Sequence, residues 1–218
     1  MIKCCIFDLD GTLLNTLPTI TYYINLIFDR YGIERFTLSD CRKYVGNGAR
    51  NLLTRALADR GVTDPGTVAS YITEYLSEYD AAPNHLTEPY PDIRELTEAL
   101  SSRGILLAVL SNKPESATRP IVEHFFGDKF TLVCGAKDGV PLKPSAEPVY
   151  NIFRELSLNA DECCYIGDSE VDIKTARNAS IKNGITVSWG YRDREDLLRA
   201  GASLIVDSPL EILGLLNS

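Results

Sequence analysis

The sequence has little of the chemistry that zinc sites use. It contains only two histidines, and none of its six cysteines is spaced as CxxC. A structural zinc site needs clustered Cys or His ligands, so we expect none here. The adjacent pairs Cys4–Cys5 and Cys163–Cys164 lie within apolar runs, where we interpret them as small buried thiols of a reducing compartment.

Basic residues and long apolar runs are also scarce. Lys and Arg number 22 against 30 Asp and Glu, which gives a formal net charge of −8. Non-specific nucleic-acid binding rests on cationic patches, so we expect no nucleic-acid partner. No apolar run has membrane-spanning length, and no cationic segment introduces one. We therefore expect a cytoplasmic protein without a membrane partner, and we expect it to be a monomer or a homodimer.

Buried-strand patterns alternate with helical patterns over most of the chain. Helical patterns over 92–104, 116–127 and 170–180 separate most of the strands. This alternation predicts a mostly parallel sheet with right-handed crossovers, and the continuous apolar runs indicate that both faces are covered. We predict a doubly wound, Rossmann-like α/β core. The predicted strands are CCIF (4–7), GILLAVLS (104–111), FTLVCG (130–135), ECCYIGD (162–168), GITVSWG (184–190) and SLIVD (203–207).

One region interrupts this alternation. From about residue 16 to 86 there is no convincing strand, and Pro89 and Pro91 mark the return to the α/β pattern. We predict an all-helical module over 16–87, inserted into a core made of 1–15 and 88–218. It should lie above the carboxyl end of the first strand, where open α/β sheets bind ligands. The helical patterns cover 19–32, 38–46, 49–61 and 67–82.

The end of the chain carries a further helical pattern. It covers 208–218, where Ser208 has the character of an N-cap and Pro209 would occupy the first helical position. We therefore predict that the last helix begins at these two residues.

Polar residues stand at the ends of the predicted strands. Because the carboxyl ends of parallel strands meet at one edge, these side chains can converge on one crevice. Taken singly, each has a structural alternative, since Asp and Ser cap helices or form turns and a loop lysine can be solvated. The residues in question are Asp8, Asp10, Ser111, Asn112, Lys143, Asp168 and Asp172.

Aspartates brought this close together would raise each other's pKa values unless a cation joined them. Oxygen ligands suit Mg²⁺, which commonly binds carboxylates, waters and substrate phosphate. Lys143 and the Ser111 hydroxyl are then suited to contact phosphate, with the N-terminus of the helix opened by Pro114. A nucleophile, a metal and an anion clamp indicate phosphoryl transfer on a small phosphorylated metabolite.

Four ordered motifs resemble those of the haloacid dehalogenase-like superfamily. They are DLDGT (8–12), SNK (111–113), KP (143–144) and GDSEVD (167–172). The resemblance covers nearly the whole chain, and the helical insertion is similar to the small cap of that superfamily. Within it, VGNG (45–48) and SWGYR (188–192) look like phosphoglycolate phosphatases and their close relatives.

The resemblance implies a role for each matching residue. Asp8 would be the nucleophile that forms an aspartyl-phosphate, and Asp10 the general acid and base. The implied Mg²⁺ ligands are Asp8, the Asp10 main-chain carbonyl and Asp168, with Asp172 steadying the metal site. The implied phosphate-binding residues are Ser111, Asn112 and Lys143. Arg50, with Gly46 and Gly48, could set substrate selectivity, although an exposed helix arginine and two turn glycines are the simpler alternative.

The implied function is Mg²⁺-dependent hydrolysis of a small phosphomonoester, with 2-phosphoglycolate as first candidate. Dehalogenases of the superfamily keep no acid at the position of Asp10, which favours a phosphatase or a mutase. A sugar-phosphate mutase of the β-phosphoglucomutase type and an inorganic pyrophosphatase remain alternatives on the same scaffold. A catalytically silent binding scaffold is the alternative from another class.

Three positions depart from the pattern that is common among phosphatase relatives. Asn15 stands where Asp is frequent, Ser111 where Thr is frequent, and Ser180 where Gly often follows ARNA. The first two keep similar hydrogen-bonding groups. Ser180 would be strained if the end of its helix requires a positive φ.

Overall fold

The computed structural model describes residues 1–46 and 48–216, and the chain divides into two compact units. The core unit comprises Met1–Asn15 and Pro89–Ser218, and the helical unit comprises Thr16–Glu88. The chain therefore leaves the core unit shortly after its first strand and returns to it at Pro89. Among the described residues, no helix is long and apolar enough to cross a membrane.

The core unit is built on a six-stranded sheet. The strands of the chain are β1 (Cys4–Phe7), β2 (Leu14–Asn15), β3 (Glu88–Pro89), β4 (Leu106–Pro114), β5 (Leu132–Ala136), β6 (Cys163–Gly167), β7 (Asn183–Val187) and β8 (Ile205–Val206). The main sheet has the order β5-β4-β1-β6-β7-β8, while β2 and β3 pair separately. All neighbouring strands of the main sheet run parallel. The predicted α/β class is confirmed.

Both faces of the sheet are buried, as a doubly wound core requires. Cys5 and Phe7 of β1 point into one apolar cluster, while Cys4 and Ile6 point into the other. Helices α5 and α6 contribute to the first cluster, and α7 and α8 to the second. The helices of the core unit are α5 (Ile93–Ser102), α6 (Glu115–Phe126), α7 (Glu147–Leu156), α8 (Glu170–Asn178), α9 (Arg194–Arg199) and α10 (Glu211–Leu215).

The adjacent cysteines meet across two central strands. The register of β1 against β6 sets Cys4 opposite Cys163 and Cys5 opposite Cys164. All four are free thiols with no exposed surface. They fill the two faces of the core as small apolar side chains, in agreement with the interpretation from the sequence.

The helical unit contains four helices, α1 (Leu17–Arg30), α2 (Leu38–Arg42), α3 (Ala49–Asp59) and α4 (Pro65–Ala81). The buried residues of α1 recur at helical spacing, as in Ile20, Ile24, Ile27 and Phe28, so this face packs into the unit's interior. Asp64 caps α4 by accepting from the Thr67 N–H at 2.9 Å.

Several predicted elements differ from the structure in their extent, among them β4, α2 and the last helix. β4 continues to Pro114, so Ser111 and its neighbours belong to the strand, beyond a register shift after Leu110. Helix α2 ends at Arg42, four residues before the predicted end at residue 46. The predicted start of the last helix at Ser208 and Pro209 is wrong: α10 begins at Glu211, because turn-type i→i+3 bonds occupy the preceding residues. Residues 217 and 218 of that prediction lie outside the described part of the chain.

The end of α8 shows that the departure at position 180 has a structural cost. Ser180 has φ +60°. Its N–H donates to the Arg177 carbonyl at 3.0 Å, and the Ile181 N–H donates to the Ala176 carbonyl at 2.9 Å. This is the Schellman pattern, whose left-handed position is normally glycine. The exposed serine therefore carries backbone strain at this turn.

Ser180→Gly should raise the free energy of unfolding by roughly 0.5–1 kcal/mol. The relief of about 1–2 kcal/mol of left-handed strain is partly offset by the larger entropy of glycine in the unfolded chain. Denaturant unfolding midpoints at unchanged m-value would measure the gain. Ser203→Gly is the matched control, because Ser203 is exposed without a positive φ and should lose stability. A loss in both variants would contradict the strain.

Candidate active site

The polar residues predicted at strand ends come together in the core unit. β1 lies between β4 and β6 in the sheet, so the carboxyl ends of these three strands are neighbours. Asp8 follows β1, Ser111 lies near the end of β4, and Asp168 follows β6. Each of these side chains is almost fully buried. The topology, more than local sequence, therefore creates the site.

Asp8 is held through one of its two carboxylate oxygens. Its Oδ1 accepts from the Leu9 N–H at 2.7 Å and lies 2.8 Å from Lys143 Nζ. Within the described part of the chain, no contact of Asp8 competes for Oδ2. The carboxylate is thus oriented by one oxygen while the other is available for chemistry.

Lys143 joins two of the carboxylates. Its Nζ lies 2.8 Å from Asp8 Oδ1 and 2.8 Å from Asp172 Oδ1. Burial disfavours the ammonium, but the charges of Asp172 and Asp8 outweigh it and hold the pKa of Lys143 well above its usual range. Burial and the charge of Asp172 nevertheless raise the pKa of Asp8, because one ammonium cannot neutralise two carboxylates.

Asp172 is fixed by four polar partners at the start of α8. Its Oδ2 accepts from the Ser169 hydroxyl at 2.5 Å and from the Ser169 N–H at 3.2 Å. The Asp172 N–H donates back to Ser169 Oγ at 3.4 Å, which completes a capping box. Its Oδ1 accepts from the Tyr165 hydroxyl at 3.2 Å, beside Lys143. The carboxylate is therefore rigid, and it serves the helix as well as the site.

Asp168 is held by the DLDGT loop and by the segment that follows β7. Its Oδ1 accepts from the Thr12 hydroxyl at 3.3 Å and its Oδ2 from the Tyr191 N–H at 2.7 Å. A Cβ atom at Gly11 or Gly190 would collide with the Asp168 side chain, so both positions require glycine for close approach. Burial and the charge of Asp172 raise the pKa of Asp168 to about 7, although the Tyr191 N–H opposes the shift.

The single tryptophan forms a further contact between the DLDGT loop and the segment that follows β7. Trp189 Nε1 donates to the Thr12 carbonyl at 3.0 Å. The SWGYR segment thus contacts the loop after β1 through its indole and contacts Asp168 through its backbone. This gives a structural reason for a segment that resemblance alone had singled out.

Asp10 pairs with a lysine to which the sequence gave no role. Lys113 Nζ lies 3.2 Å from Asp10 Oδ1 and 3.3 Å from Oδ2. Both side chains are largely buried, with exposed fractions of 8% and 17%. Two lysines therefore contact aspartates in the site, Lys113 and Lys143, whereas the sequence gave a role to Lys143 alone.

Ser111 and Asn112, which are neighbours in β4, make different contacts. Ser111 Oγ accepts from the Lys113 N–H at 3.2 Å, which leaves the hydroxyl proton to be donated elsewhere. The Asn112 amide instead pairs with the main chain of Lys143, donating to its carbonyl at 3.1 Å and accepting from its N–H at 2.8 Å. Asn112 thus positions Lys143, and its predicted phosphate contact stays a prediction.

Comparison with known proteins agrees with this geometry. Residues 5–185 match the family described as haloacid dehalogenase-like hydrolase. The chain belongs to this family.

Relatives of this haloacid dehalogenase-like hydrolase carry a common description. A phosphoglycolate phosphatase of Rhodospirillum rubrum is 32% identical over 95% of this chain and 88% of its own. One of Cereibacter sphaeroides is 34% identical over 86% of this chain and 85% of its own. The crystal structure of a candidate phosphoglycolate phosphatase from Lactobacillus delbrueckii subsp. bulgaricus is similar at a TM-score of 0.93, with 32% identity and 99% of each chain covered. The predicted family and enzyme class, a phosphoric monoester hydrolase, are confirmed.

The carboxylates of this hydrolase form a suitable cation site. Asp8, Asp168 and Asp172 each offer an oxygen, and these oxygens lie within 4.8 Å of one another. Lys143 supplies one positive charge to this buried trio. When the three carboxylates are ionised, the one ammonium leaves a net charge of −2. One divalent cation would balance that charge. The all-oxygen donor set fits a hard cation.

The predicted selectivity residues belong to the helical unit. Gly46 and Gly48 have φ values of +122° and +80°, so both serve as turn residues before α3. Arg50 lies exposed in the first turn of that helix. Asn47, between the two glycines, lies outside the described residues. Their role in selectivity is a proposal considered below.

Several contacts of the site were not predicted from the sequence. The missed residues share one property, which is that each acts by holding a predicted residue: Thr12, Lys113, Tyr165, Ser169 and Tyr191. The only signal in the sequence was their proximity to motif residues. Ser169 alone fits a local rule, because a serine three residues before an acidic residue at a helix start predicts a capping box.

Proposed function

We propose that this hydrolase is a Mg²⁺-dependent phosphatase of a small phosphomonoester, with 2-phosphoglycolate as the first candidate. The observation that carries the proposal is Asp8, which is buried, oriented through Oδ1 by Lys143 and placed beside Asp168 and Asp172. The substrate is proposed from the descriptions of the relatives in Rhodospirillum rubrum and Cereibacter sphaeroides.

In the first half-reaction, Asp8 Oδ2 attacks phosphorus. A bond forms between that oxygen and phosphorus while the bond from phosphorus to the substrate alcohol breaks, which gives an aspartyl-phosphate. Asp10 donates its proton to the departing alkoxide, so the product leaves as a neutral hydroxyl. The two carboxylates are two residues apart on one turn, and this allows each to act on one end of the breaking bond.

In the second half-reaction, Asp10 accepts a proton from water. The water oxygen attacks phosphorus, the bond to Asp8 breaks, and inorganic phosphate is released. Asp10 is again protonated and Asp8 again ionised. Splitting one slow displacement into two supported steps is the general advantage of covalent catalysis.

Ser111 and Lys143 would stabilise the transferring phosphoryl group. The Ser111 proton remains available to donate, because the hydroxyl oxygen already accepts from Lys113 N–H. Lys143 would act through its positive charge, because its Nζ already contacts Asp8, Asp172 and the Tyr165 hydroxyl. Electrostatic stabilisation of the equatorial oxygens is the main task in phosphoryl transfer.

Mg²⁺ would be held by Asp8, Asp168 and the Asp10 main-chain carbonyl, with Asp172 supporting the site. When bound, it neutralises charge on the phosphoryl group and helps to orient it. The donor set supports this ion, because all donors are oxygens. The net negative charge of the ionised carboxylates with Lys143 would be balanced by one divalent cation.

The helical unit is proposed as the cap that sets substrate selectivity. Its turn at Gly46 and Gly48 leads into α3, where the exposed Arg50 guanidinium could bind a substrate carboxylate through two hydrogen bonds. Arg50→Gln tests this contact: a loss of affinity for a substrate acid would support it, and unchanged affinity would exclude it.

The proposed function is tested by a panel of phosphorylated metabolites, assayed for phosphate release with Mg²⁺ and with EDTA. The panel includes 2-phosphoglycolate, sugar phosphates and pyrophosphate. Hydrolysis of 2-phosphoglycolate that EDTA abolishes is the expected result. Transfer of the phosphoryl group to a second sugar hydroxyl would indicate a mutase. Release of phosphate from pyrophosphate alone would indicate a pyrophosphatase. No metal-dependent turnover of any compound would refute the proposal.

Stabilisation by Mg²⁺ should grow with pH. Asp8 and Asp168 have raised pKa values in the metal-free protein, that of Asp168 being about 7. Aspartates of the unfolded chain ionise near pH 4 and Asp168 of the folded protein only near pH 7, so metal-free stability falls across this interval. A cation needs the ionised form and displaces the protons.

Thermal unfolding with Mg²⁺ and with EDTA, at about pH 6 and about pH 8, would measure this effect. The increase in Tm should be larger at the higher pH and absent in Asp168→Asn. An equal increase at both pH values would contradict the assignment of these carboxylates to the metal.

A further inference from the structure

We propose that Lys113 is a specificity-determining residue, which selects phosphomonoesters whose leaving alcohol carries an anionic group such as a carboxylate. The inference rests on the proposed phosphatase function and names the substrate class of that site. It assigns to the core unit a second cation for the substrate, separate from the lysine that contacts the nucleophile.

Lys113 lies next to the residue that acts on the leaving oxygen. Its Nζ is 3.2 Å and 3.3 Å from the two carboxylate oxygens of Asp10. Asp10 must approach the leaving oxygen to within hydrogen-bond distance, roughly 3 Å, to transfer a proton. A substituent on the leaving alcohol therefore lies near Lys113. In a two-carbon phosphoacid, the carboxylate oxygens lie only three bonds, roughly 3 Å, from the ester oxygen.

Specific main-chain contacts hold Lys113 in its position. Its N–H donates to Ser111 Oγ at 3.2 Å, and its carbonyl accepts from the fully buried Thr118 hydroxyl at 3.1 Å. Gly135 of β5 allows this close packing, because a Cβ there would lie 2.8 Å from the Lys113 carbonyl. The side chain is 8% exposed. Burying an ammonium is costly unless it meets anions, and Asp10 is the anion that lies beside it in this structure.

The two lysines of the site are not equivalent. Lys143 contacts Asp8 and Asp172, which belong to the nucleophile and cation side of the site. Lys113 contacts Asp10, which belongs to the leaving-group side. A substrate with two anionic ends, a phosphate and a carboxylate, matches two lysines placed in this way. A substrate with an uncharged alcohol would leave Lys113 with Asp10 as before.

The test compares two substrates of similar size, 2-phosphoglycolate and 2-hydroxyethyl phosphate, which differ in the carboxylate. Wild-type protein should prefer the acid in kcat/KM by about 10- to 100-fold, the usual worth of a charge-assisted hydrogen bond. Lys113→Gln should reduce this preference to within about threefold, mostly through KM for the acid. Lys113→Arg should retain most of it. Lys182→Gln, at an exposed lysine whose ion pair with Asp161 lies at the surface, is the matched control and should keep the preference. Arg50→Gln is measured beside it.

Each result supports or overturns the role of Lys113 in substrate selectivity. No preference in the wild-type protein would overturn the inference without any variant, while turnover of both substrates would still support the phosphatase. A Lys113→Gln variant that loses activity equally on both substrates would show that the lysine only positions Asp10. Loss of the preference in Arg50→Gln instead would assign the carboxylate to the helical unit. If Lys113→Gln fails to fold, the wild-type preference and the Lys113→Arg ratio still decide the question.

Discussion

Asp8→Asn is expected to lower kcat by about 10⁴-fold or more while leaving the protein folded. The amide keeps the shape of the carboxylate but supplies no nucleophilic oxygen, so no aspartyl-phosphate can form. The effect should be this large because the remaining groups of the site have no alternative way to displace the alcohol. Phosphate release under saturating substrate and Mg²⁺ measures it.

The stability of Asp8→Asn should not fall with its turnover. In the metal-free protein, burial and the neighbouring Asp172 disfavour the ionised form of Asp8. A neutral amide removes that repulsion, so above neutral pH Asp8→Asn should unfold at a temperature no lower than the wild type. Lys143 keeps its contact with Asp172 in the variant.

Asp161→Asn is the matched control for this experiment. Asp161 is an exposed aspartate whose salt bridge to Lys182 lies at the surface, with exposed fractions of 73% and 80%. It should leave both turnover and stability close to wild type. Turnover retained by Asp8→Asn would rule out the assigned nucleophile.

Lys143→Met is expected to cost about 3–5 kcal/mol of folding free energy in the absence of Mg²⁺. The substitution preserves the apolar stem but leaves Asp8 and Asp172 buried without the cation that they share. Removing one partner of a buried ion pair is far more destabilising than replacing both. Denaturant unfolding in EDTA at neutral pH measures the loss.

The pH dependence separates lost charge from lost packing. Because the pKa of Asp8 is raised in the folded protein, Asp8 is protonated in both the folded and the unfolded states below about pH 4, and the penalty for leaving it unpaired should shrink there. Added Mg²⁺ should also recover part of the loss, because it supplies positive charge to the same trio. A penalty that is independent of pH and of Mg²⁺ would mean that Lys143 acts through its hydrocarbon stem alone.

Lys182→Met provides the surface comparison. Lys182 forms an exposed ion pair with Asp161, and such pairs contribute little to stability. If both lysine variants lose the same free energy, the interpretation of Lys143 as the cation of a buried network is incorrect.

Much of the fold was predictable because it follows from local patterns. Buried parallel strands are continuous apolar runs, so β1, β4 and β6 stand out in the sequence. Element ends were less predictable. α10 begins three residues after Ser208 because turn-type bonds compete with helical ones at 208–210, and no local signal distinguishes these.

Local patterns of the sequence pointed to the candidate groups of the site. Asp8, Asp10 and Asp168 follow predicted strands and Ser111 ends one, so they were expected at the shared edge of a parallel sheet. Lys143, in a loop before a helix, and Asp172, in a first helical turn, were expected at the same edge. The sequence also marked Ser180 as strained if its helix end required a positive φ, and the structure has φ +60° there.

The pairing of these groups follows from the tertiary structure. Lys113 contacts Asp10, Asn112 holds the main chain of Lys143, and Trp189 donates to the Thr12 carbonyl. Each of these contacts joins segments that are far apart in the sequence. Hydrogen bonds between residues 31 to 177 positions apart leave no periodic trace in the sequence. Their geometry is set by strand order and register, which exist only once the sheet has formed.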